Sequence, residues 1–284
     1  MRLLQRPAEL CVDFGFDSAF AIEIEHGSIV RWTTWALPSG SFRQGEAVDT
    51  NRLGDQMCAA LDEAGFRARR ARMTIADEAV VTRIVEVPRM RNREMARAAA
   101  FMAEKELPIP FDRAAWSWDL IETPGRISAL CLVAAWRDLV ERLEAMVFRA
   151  NILLEVVEPR ALALARALDL ESGILLEAIG DTARVTAVAP GVAPYVEQLA
   201  LPRDPVSREK FLTTLIGRLT ARYASGPGAA QPLIVLAGEL EYLRLAGVES
   251  IPASERMNGH TPLRPADLPV AFFLPTIGLG MRRR

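Results

Sequence analysis

The stretch VVTRIVEV (80–87), followed by NREMARAAAFMAEKEL (92–107), opens the part of the sequence that decides the fold. The first piece is rich in valine and isoleucine, which predicts a strand, and the second has apolar residues at helical spacing, which predicts a helix. The same two patterns predict strands at 116–121, 126–134 and 152–157 and a helix at 137–150. Residues 80–157 therefore have the order βαββαβ, which by itself is typical of a small ferredoxin-like unit.

Two similar runs of elements flank this stretch. Each begins with three short strands, continues with an amphipathic helix and returns to a buried strand. In the first run these elements are predicted at 9–16, 20–24, 29–37, 53–64 and 70–76. In the second run they are predicted at 173–179, 183–189, 195–201, from 204 or 207 to 223, and 233–237, with a short helix at 239–246 and a last strand at 270–274. The repeat lies in the order of the elements and not in the residues.

The sequence thus predicts an α/β fold made of a duplicated unit with a βαββαβ insert in its first half. The predicted boundaries are 1–79 for the first part of the first half and 80–157 for the insert, then 158–172 for a return helix and 173–284 for a reduced second half.

Composition limits the classes of function. The 284 residues include 34 basic and 36 acidic ones, and this net charge of −2 argues against a nucleic-acid-binding protein, which normally has a basic excess. The longest apolar stretch, 268–281, contains two prolines and is too short to cross a bilayer, and acidic residues interrupt any signal peptide near the N-terminus. Three cysteines without C-x-x-C spacing and two histidines predict no metal site. We expect a cytoplasmic protein.

Short motifs in a fixed order connect the sequence with a known family. In chain order they are VDFG (12–15), LPSG (37–40), GEAVD (45–49), VPRM (87–90), EM (94–95), AEKELPIPF (103–111), LVAA (132–135), VEPRALALAR (157–166) and IGLGMR (277–282). Together they resemble the PilM-like proteins of type IV pilus assembly, which have an actin-like fold similar in layout to that of FtsA. The resemblance covers most of the chain.

This resemblance implies a nucleotide site between the two halves of the fold. In actin-like proteins two hairpin turns present backbone N–H groups to the phosphates of ATP, and acidic residues near the strand ends hold a hydrated Mg²⁺. The residues that match these turns are Asp13, Gly15, Ser18, Gly180 and Gly238.

Several other positions depart from the family pattern. They are Phe16 and Asp17 in place of small hydroxyl residues, Phe20 for a lysine, Ala178 for an aspartate, Asp181 for a small residue and Glu239 for a glycine. Glu177 lies one residue from the aspartate position and is expected to point to the opposite face of its strand. We therefore predict a degenerate site without a required cofactor. The alternatives are that ATP and Mg²⁺ still bind as conformational ligands, or that the chain is a small-molecule kinase.

The resemblance also implies a partner. PilM-like proteins bind the cytoplasmic N-terminal peptide of PilN, a bitopic inner-membrane protein, and so connect the membrane complex to pilus motor or platform components. On this basis we expect a non-catalytic scaffold of a type IV pilus, or a related type II secretion, assembly complex at the inner membrane. The peptide groove is predicted near Arg83, Val85, Pro88 and Met95, because the methionine of the first insert helix suits an adaptable apolar surface.

Overall fold

A computed structural model describes residues 8–15, 17–43, 45–121, 127–189, 192–223, 232–241, 243–245, 248–257 and 262–282. Phe16, one of the predicted departures in the first turn, lies outside these residues. The first half begins with β1 (Glu9–Phe14), β2 (Ser18–Glu25), β3 (Ser28–Ala36), the short pair β4 (Phe42–Arg43) and β5 (Glu46–Ala47), α1 (Thr50–Glu63) and β6 (Arg70–Ile75). Asp49 caps α1 by accepting a hydrogen bond from the Arg52 N–H at 3.0 Å.

The middle of the chain contains the insert and the return to the first half. Its elements are β7 (Val80–Pro88), α2 (Asn92–Glu106), β8 (Ala114–Ile121), β9 (Ile127–Trp136), α3 (Arg137–Phe148), β10 (Leu153–Pro159) and α4 (Arg160–Ala167). The second half consists of β11 (Gly173–Ile179), β12 (Thr182–Ala189), β13 (Val192–Ala200), α5 (Pro205–Tyr223), β14 (Leu233–Gly238), β15 (Ile251–Pro252) and α6 (Val270–Met281).

The two large sheets have the same topology. The first has the strand order β10-β6-β1-β2-β3 and the second the order β13-β12-β11-β14-β15. In each sheet the first three strands along the chain are antiparallel, and the next two are added in parallel beside the first of them. The predicted duplication of an α/β unit is therefore confirmed.

The insert differs from the prediction in the sheet that its last strand joins. The order of elements is βαββαβ, as predicted, but β10 pairs with β6 of the first sheet and leaves a three-stranded sheet β7-β9-β8. The helix before it, α3, packs on α1 through an apolar cluster that includes Met57, Leu139 and Met146. β10 is therefore a strand of the first sheet, although it lies within the bounds 80–157 predicted for the insert. The order of strands along a sequence does not determine which neighbour each strand pairs with.

Two further predictions in the second half are wrong. The last strand, expected at 270–274, is the start of the helix α6. This helix is apolar and buried on nearly all sides, so its sequence lacks the polar face that distinguishes an amphipathic helix. The short helix expected at 239–246 is absent from the described residues of that segment, where the chain makes turns.

Helices α4 and α6 connect the two halves. They pack against each other, and the cluster around them joins Ile22 of the first sheet to Leu175 and Val235 of the second. The approach is close, because a Cβ atom added at Gly278 would overlap the carbonyl oxygen of Ala163. The halves thus share one hydrophobic core at this helix pair.

Candidate functional sites: an ion-pair bridge and a groove beside the insert

A buried arginine connects the central strands of the two halves. The Nε of Arg160, at the start of α4, donates to both carboxylate oxygens of Asp13 on β1, at 3.1 and 3.2 Å. Its two terminal nitrogens donate to the two carboxylate oxygens of Glu177 on β11, at 2.6 and 2.8 Å. The Thr74 hydroxyl also donates to Asp13. All four side chains are buried, and we call Asp13, Arg160 and Glu177 the ion-pair bridge.

Opposite charges favour the ionised forms of Arg160 and Glu177 despite their burial. Burial opposes the charge on Arg160, but the carboxylates of Asp13 and Glu177 outweigh this effect and raise the pKa of the guanidinium. Burial would likewise raise the pKa of Glu177, but the charge and hydrogen bonds of Arg160 lower it overall. The neighbouring Arg184, which pairs with Glu177 across β11 and β12, has its pKa lowered by burial and by the like charge of Arg160.

Asp77 holds the same end of α4. Its carboxylate oxygens accept hydrogen bonds from the Ala161 N–H at 3.1 and 3.2 Å, at the positive end of the helix. Burial raises the pKa of Asp77 to about 6, although this hydrogen bond acts in the opposite direction. The start of α4 is therefore surrounded by acidic groups from both halves.

Of the five predicted nucleotide residues, Asp13 belongs to this bridge, and the other four lie at or next to the ends of β1, β2, β11 and β14. Asp13 is engaged by Arg160, the Gly15 N–H donates to the Ser18 carbonyl at 2.9 Å, and the Ser18 hydroxyl donates to Asp17 at 2.9 Å. Gly180 and Gly238 adopt positive φ angles of 60° and 63° in the turns that end β11 and β14. The hydroxyl and carboxylate groups of the first turn therefore contact other protein groups.

The residues that depart from the family pattern have different environments in the structure. Ala178, at the expected aspartate position, is fully buried in the core against α5. Glu177 lies on the face of β11 opposite to Ala178, as predicted, and on that face it binds Arg160, which in turn binds Asp13. Phe20 is buried, with ring centroids 6.5 Å from Phe272 and 5.2 Å from Phe273. It has become part of the core between the halves.

A groove lies between the insert and the first half. A cleft of about 750 Å³ lies between β8 and β9 on one side and β10, α4 and the end of α6 on the other. A smaller cleft of about 190 Å³ adjoins it along β10, and the two share Ser117, Val133, Val157 and Pro159. We call both together the insert groove. Its polar end contains Glu158, a buried carboxylate that accepts hydrogen bonds from Arg166 at 2.6 Å and Arg282 at 2.7 Å.

The peptide-groove residues predicted from the sequence are not in this groove. Val85 and Met95 are buried between the insert sheet and α2, and Arg83 is exposed on the same face of β7 as Val85. Pro88 is exposed at the end of β7. Side chains alternate between the two faces of a strand. Val85 faces α2, whereas the insert groove lies on the other face of the sheet, which carries Ser117, Cys131 and Val133. The signal that could have found it is the polar alternation of Ser117 and Asp119 with the two tryptophans of β8.

A third cleft, of about 770 Å³, lies between the halves beside the ion-pair bridge. It is lined by Gly15, Asp17 and Thr74 of the first half and by Arg184 and Glu197 of the second. Across the described ranges, no group of three or more His, Cys, Asp and Glu residues could hold a metal ion. Nor is any helix in those ranges long and apolar enough to cross a membrane.

Two sheets of identical topology, a shared helix pair and a cleft between them define the actin-like class of folds. Within that class, the chain is similar to a chain of the PilM–PilN type IV pilus biogenesis complex, with a TM-score of 0.68 and 18% identity over 96% of this chain and 97% of that one. It is also similar to the cytoplasmic domain of EpsL, an inner-membrane component of the Vibrio cholerae type II secretion system (TM-score 0.55, 13% identity, 98% and 96% covered). The ethanolamine utilization protein EutJ from Carboxydothermus hydrogenoformans gives a TM-score of 0.54 at 13% identity, with 98% and 90% covered.

These similarities establish the predicted actin-like fold over nearly the whole chain. No model of a protein family and no curated protein matches the sequence.

Proposed function

We propose that this protein is a non-catalytic scaffold of a type IV pilus or type II secretion assembly complex, and that it binds a short cytoplasmic segment of a PilN-like inner-membrane protein in the insert groove. The fold supports this setting, since two structures of similar architecture come from a PilM–PilN complex and from a component of a type II secretion system. Through this partner the protein would be held at the cytoplasmic face of the inner membrane, next to motor or platform components.

The insert groove is the observation that carries the proposal. In the part of the chain that the structure describes, β8 pairs only with β9 and β10 pairs only with β6, so each strand has a second edge without a strand beside it. Both strands border the groove. An extended peptide could therefore add its backbone to a strand edge, while alternate side chains enter the apolar part of the groove near Val133 and Val157.

The ion-pair bridge supports partner binding that is independent of nucleotide. Arg160 supplies a positive charge to Asp13 and Glu177, and this is the role that a metal ion would have beside two carboxylates. A scaffold of this type needs neither turnover nor a bound cofactor to keep its halves together. We therefore propose a pseudo-ATPase whose working site is the groove.

Fluorescence anisotropy with a labelled peptide tests the proposal. The peptide is the N-terminal cytoplasmic segment of the PilN-like protein from the same genome. We expect saturable binding and at least a tenfold loss for Val133→Glu, because that change places an unpaired charge in the apolar groove. Val206→Glu, at an exposed position in the first turn of α5, is the matched control and should bind normally. A folded wild-type protein that does not bind the peptide would contradict the proposal.

A further inference from the structure

The two halves of the fold differ in one helix. In the first half, α3 directly precedes β10 and packs on α1. In the second half, α5 corresponds to α1 and β15 to β10, but only residues 239–250 connect β14 to β15, and those that the structure describes form no helix. Among the described residues, α5 therefore lacks the helix that covers α1 in the first half.

Two glycines occupy equivalent positions in the halves. Arg70 begins β6 beside the first residue of β1, and Leu233 begins β14 beside the first residue of β11. Gly54 of α1 lies 16 residues before this point of the first sheet, and Gly217 of α5 lies 16 residues before the equivalent point of the second. The duplicated unit thus has a glycine at the same place in both of its helices.

The two glycines have different surroundings. A Cβ atom added at Gly54 would lie 2.8 Å from the carbonyl oxygen of Met146 and 2.7 Å from Cδ of Arg149, because α3 packs there closely. Among the described residues, no atom lies within 4 Å of a Cβ atom added at Gly217. Glycine inside a helix lowers the stability of the helix relative to alanine, and the close approach of α3 compensates for this at Gly54. The described residues offer no such contact at Gly217.

A groove of about 650 Å³ lies beside Gly217. It is bordered by α5, by the start of β14 and by the residues around the start of β15. Apart from Glu249 and two threonines of α5, its described lining residues are apolar or glycine, and they include Ile216, Ile234 and Val248. We call this surface the α5 groove. It has the place on α5 that α3 fills on α1.

The charges beside the two glycines are opposite. On α1, the residue after Gly54 is Asp55, which accepts a hydrogen bond from Nε of Arg149 of α3 at 2.7 Å. On α5, the residue after Gly217 is Arg218, which is exposed. A helix in the α5 groove is therefore expected to carry an acidic residue where α3 carries Arg149, because like charges at this contact would repel.

The other side of the α5 groove is acidic. Glu249, next to β15, is exposed and lines the groove. In the first half, α3 presents Glu144 beside β10, where both border the smaller cleft of the insert groove. A helix with the α3 sequence would thus bring Glu144 towards Glu249, and a basic residue suits this position better.

We propose that the α5 groove binds one amphipathic helix of a second partner protein, in the position that α3 has on α1. The helix has apolar residues at the spacing of Leu139, Leu143 and Met146, which form the buried stripe of α3. It carries an acidic residue three positions later, which pairs with Arg218. This site is separate from the insert groove and does not depend on it, so the scaffold can hold two partners at once.

A second copy of this chain does not provide such a helix. The large apolar residues that are exposed on the described helices are Phe101 of α2, Phe148 of α3 and Val206 of α5, one on each helix. A single exposed residue does not make the apolar stripe that helix packing requires. The occupant is therefore a helix of another protein.

Two synthetic helices based on α3 test this proposal by fluorescence anisotropy with the full chain. Both have the sequence of residues 137–150 with Glu144→Lys, and both are stapled between positions 141 and 145, which are exposed on α3, because a free helix of this length is marginally stable. One peptide also carries Arg149→Glu, and the other keeps Arg149. We expect the Arg149→Glu peptide to bind the wild type with a Kd below about 1 mM and about fivefold more tightly than the other.

Two variants of the protein locate the contact. Arg218→Glu should reverse the preference, because Arg149 of the second peptide then meets a carboxylate, as it does on α1. Arg97→Glu, at an exposed position of α2, is the matched control and should leave the preference unchanged. Gly217→Trp should fold normally and weaken both peptides at least tenfold, because the indole fills the groove.

The outcomes separate this proposal from its alternatives. A wild type that binds neither peptide, equal binding by a folded Gly217→Trp protein, or an unreversed preference in Arg218→Glu would overturn it. Sedimentation that shows a dimer lost in Gly217→Trp would also overturn it, since the occupant would then be a second copy. The PilN-like peptide should bind Gly217→Trp normally, and Val133→Glu should bind the Arg149→Glu peptide normally, so this proposal and the proposed function fail independently.

Discussion

Replacing Arg160 by methionine leaves the carboxylates of Asp13 and Glu177 buried without their shared cation. Their side chains are 0% and 8% exposed, so water cannot take over the role of the guanidinium. Removing one partner of a buried ion pair costs about 3–5 kcal/mol. The Thr74 hydroxyl and the nearby Arg184 remain, which favours the lower end of this range, about 3 kcal/mol, and a melting temperature lower by about 10 °C.

Urea denaturation at pH 7, followed by circular dichroism, measures this loss. The triple variant Arg160→Met, Asp13→Asn, Glu177→Gln removes all three charges of the bridge and should recover most of the stability, because neither carboxylate of the bridge is then left buried without its cation. Arg203→Met is the control, since its ion pair with Asp181 is on the surface and should contribute less than about 1 kcal/mol. An Arg160→Met protein as stable as the wild type, or a triple variant no more stable than the single one, would refute the reasoning.

The same variant has a defined pH dependence. In the wild type the pKa of Glu177 is lowered in the folded state, so its contribution is present above the unfolded pKa near 4.3 and is lost as the pH falls through the folded value. Without Arg160, whose charge and hydrogen bonds lower the pKa of Glu177, the buried Glu177 carboxyl binds a proton more readily in the folded state. The stability difference between wild type and variant should therefore shrink as the pH falls from 7 to 5.

Three other regions of the protein give further predictions. Gly278→Ala should destabilise the protein by about 1–3 kcal/mol in urea denaturation, because the new methyl group overlaps the backbone of α4, whereas Gly217→Ala has open space and should be neutral or stabilising. The raised pKa of Asp77 means that its ionisation destabilises the fold, so the stability of Asp77→Asn relative to wild type should rise between pH 4 and pH 7. Cys131 lines the insert groove, so bound peptide should slow its alkylation by maleimide and leave the rate at Cys58 unchanged.

The sequence predicts the arrangement of the fold correctly where strands that follow each other along the chain also pair with each other. Strands β1 to β3 and β11 to β13 follow one another with only two or three residues between them, so each strand pairs with its neighbour in sequence and the alternation of apolar residues is sufficient to place it. β10 and β6 pair although the insert lies between them in the sequence, and no local sequence pattern indicates this pairing. The sequence of α6 predicts a strand for a similar reason, since a helix buried on all sides and a buried strand are both continuous apolar runs.

Two features of the sequence indicate the ion-pair bridge. Arg160 begins a helix, where a positive charge is opposed by the helix dipole, so an arginine at this position indicates a nearby anion. Glu177 interrupts the apolar run of β11, and a charge in a buried strand indicates a buried partner. Each signal predicts an ion pair, but only the folded chain shows that the two residues, 17 positions apart, bind each other and Asp13.

The position of Arg160 also determines how much free energy nucleotide binding would cost. Mg²⁺ with ATP needs a carboxylate near the end of β1, and Asp13 is held there by the guanidinium. Binding would have to break the bridge, and a cost of about 3–5 kcal/mol weakens an apparent affinity by about 100-fold to 1000-fold or more. A calorimetric titration of the wild type with ATP and Mg²⁺ should therefore show no heat of binding at micromolar concentrations. Clear micromolar binding would mean that Arg160 moves aside at little cost, and the alternative of an ATP-controlled switch would then replace the nucleotide-independent scaffold.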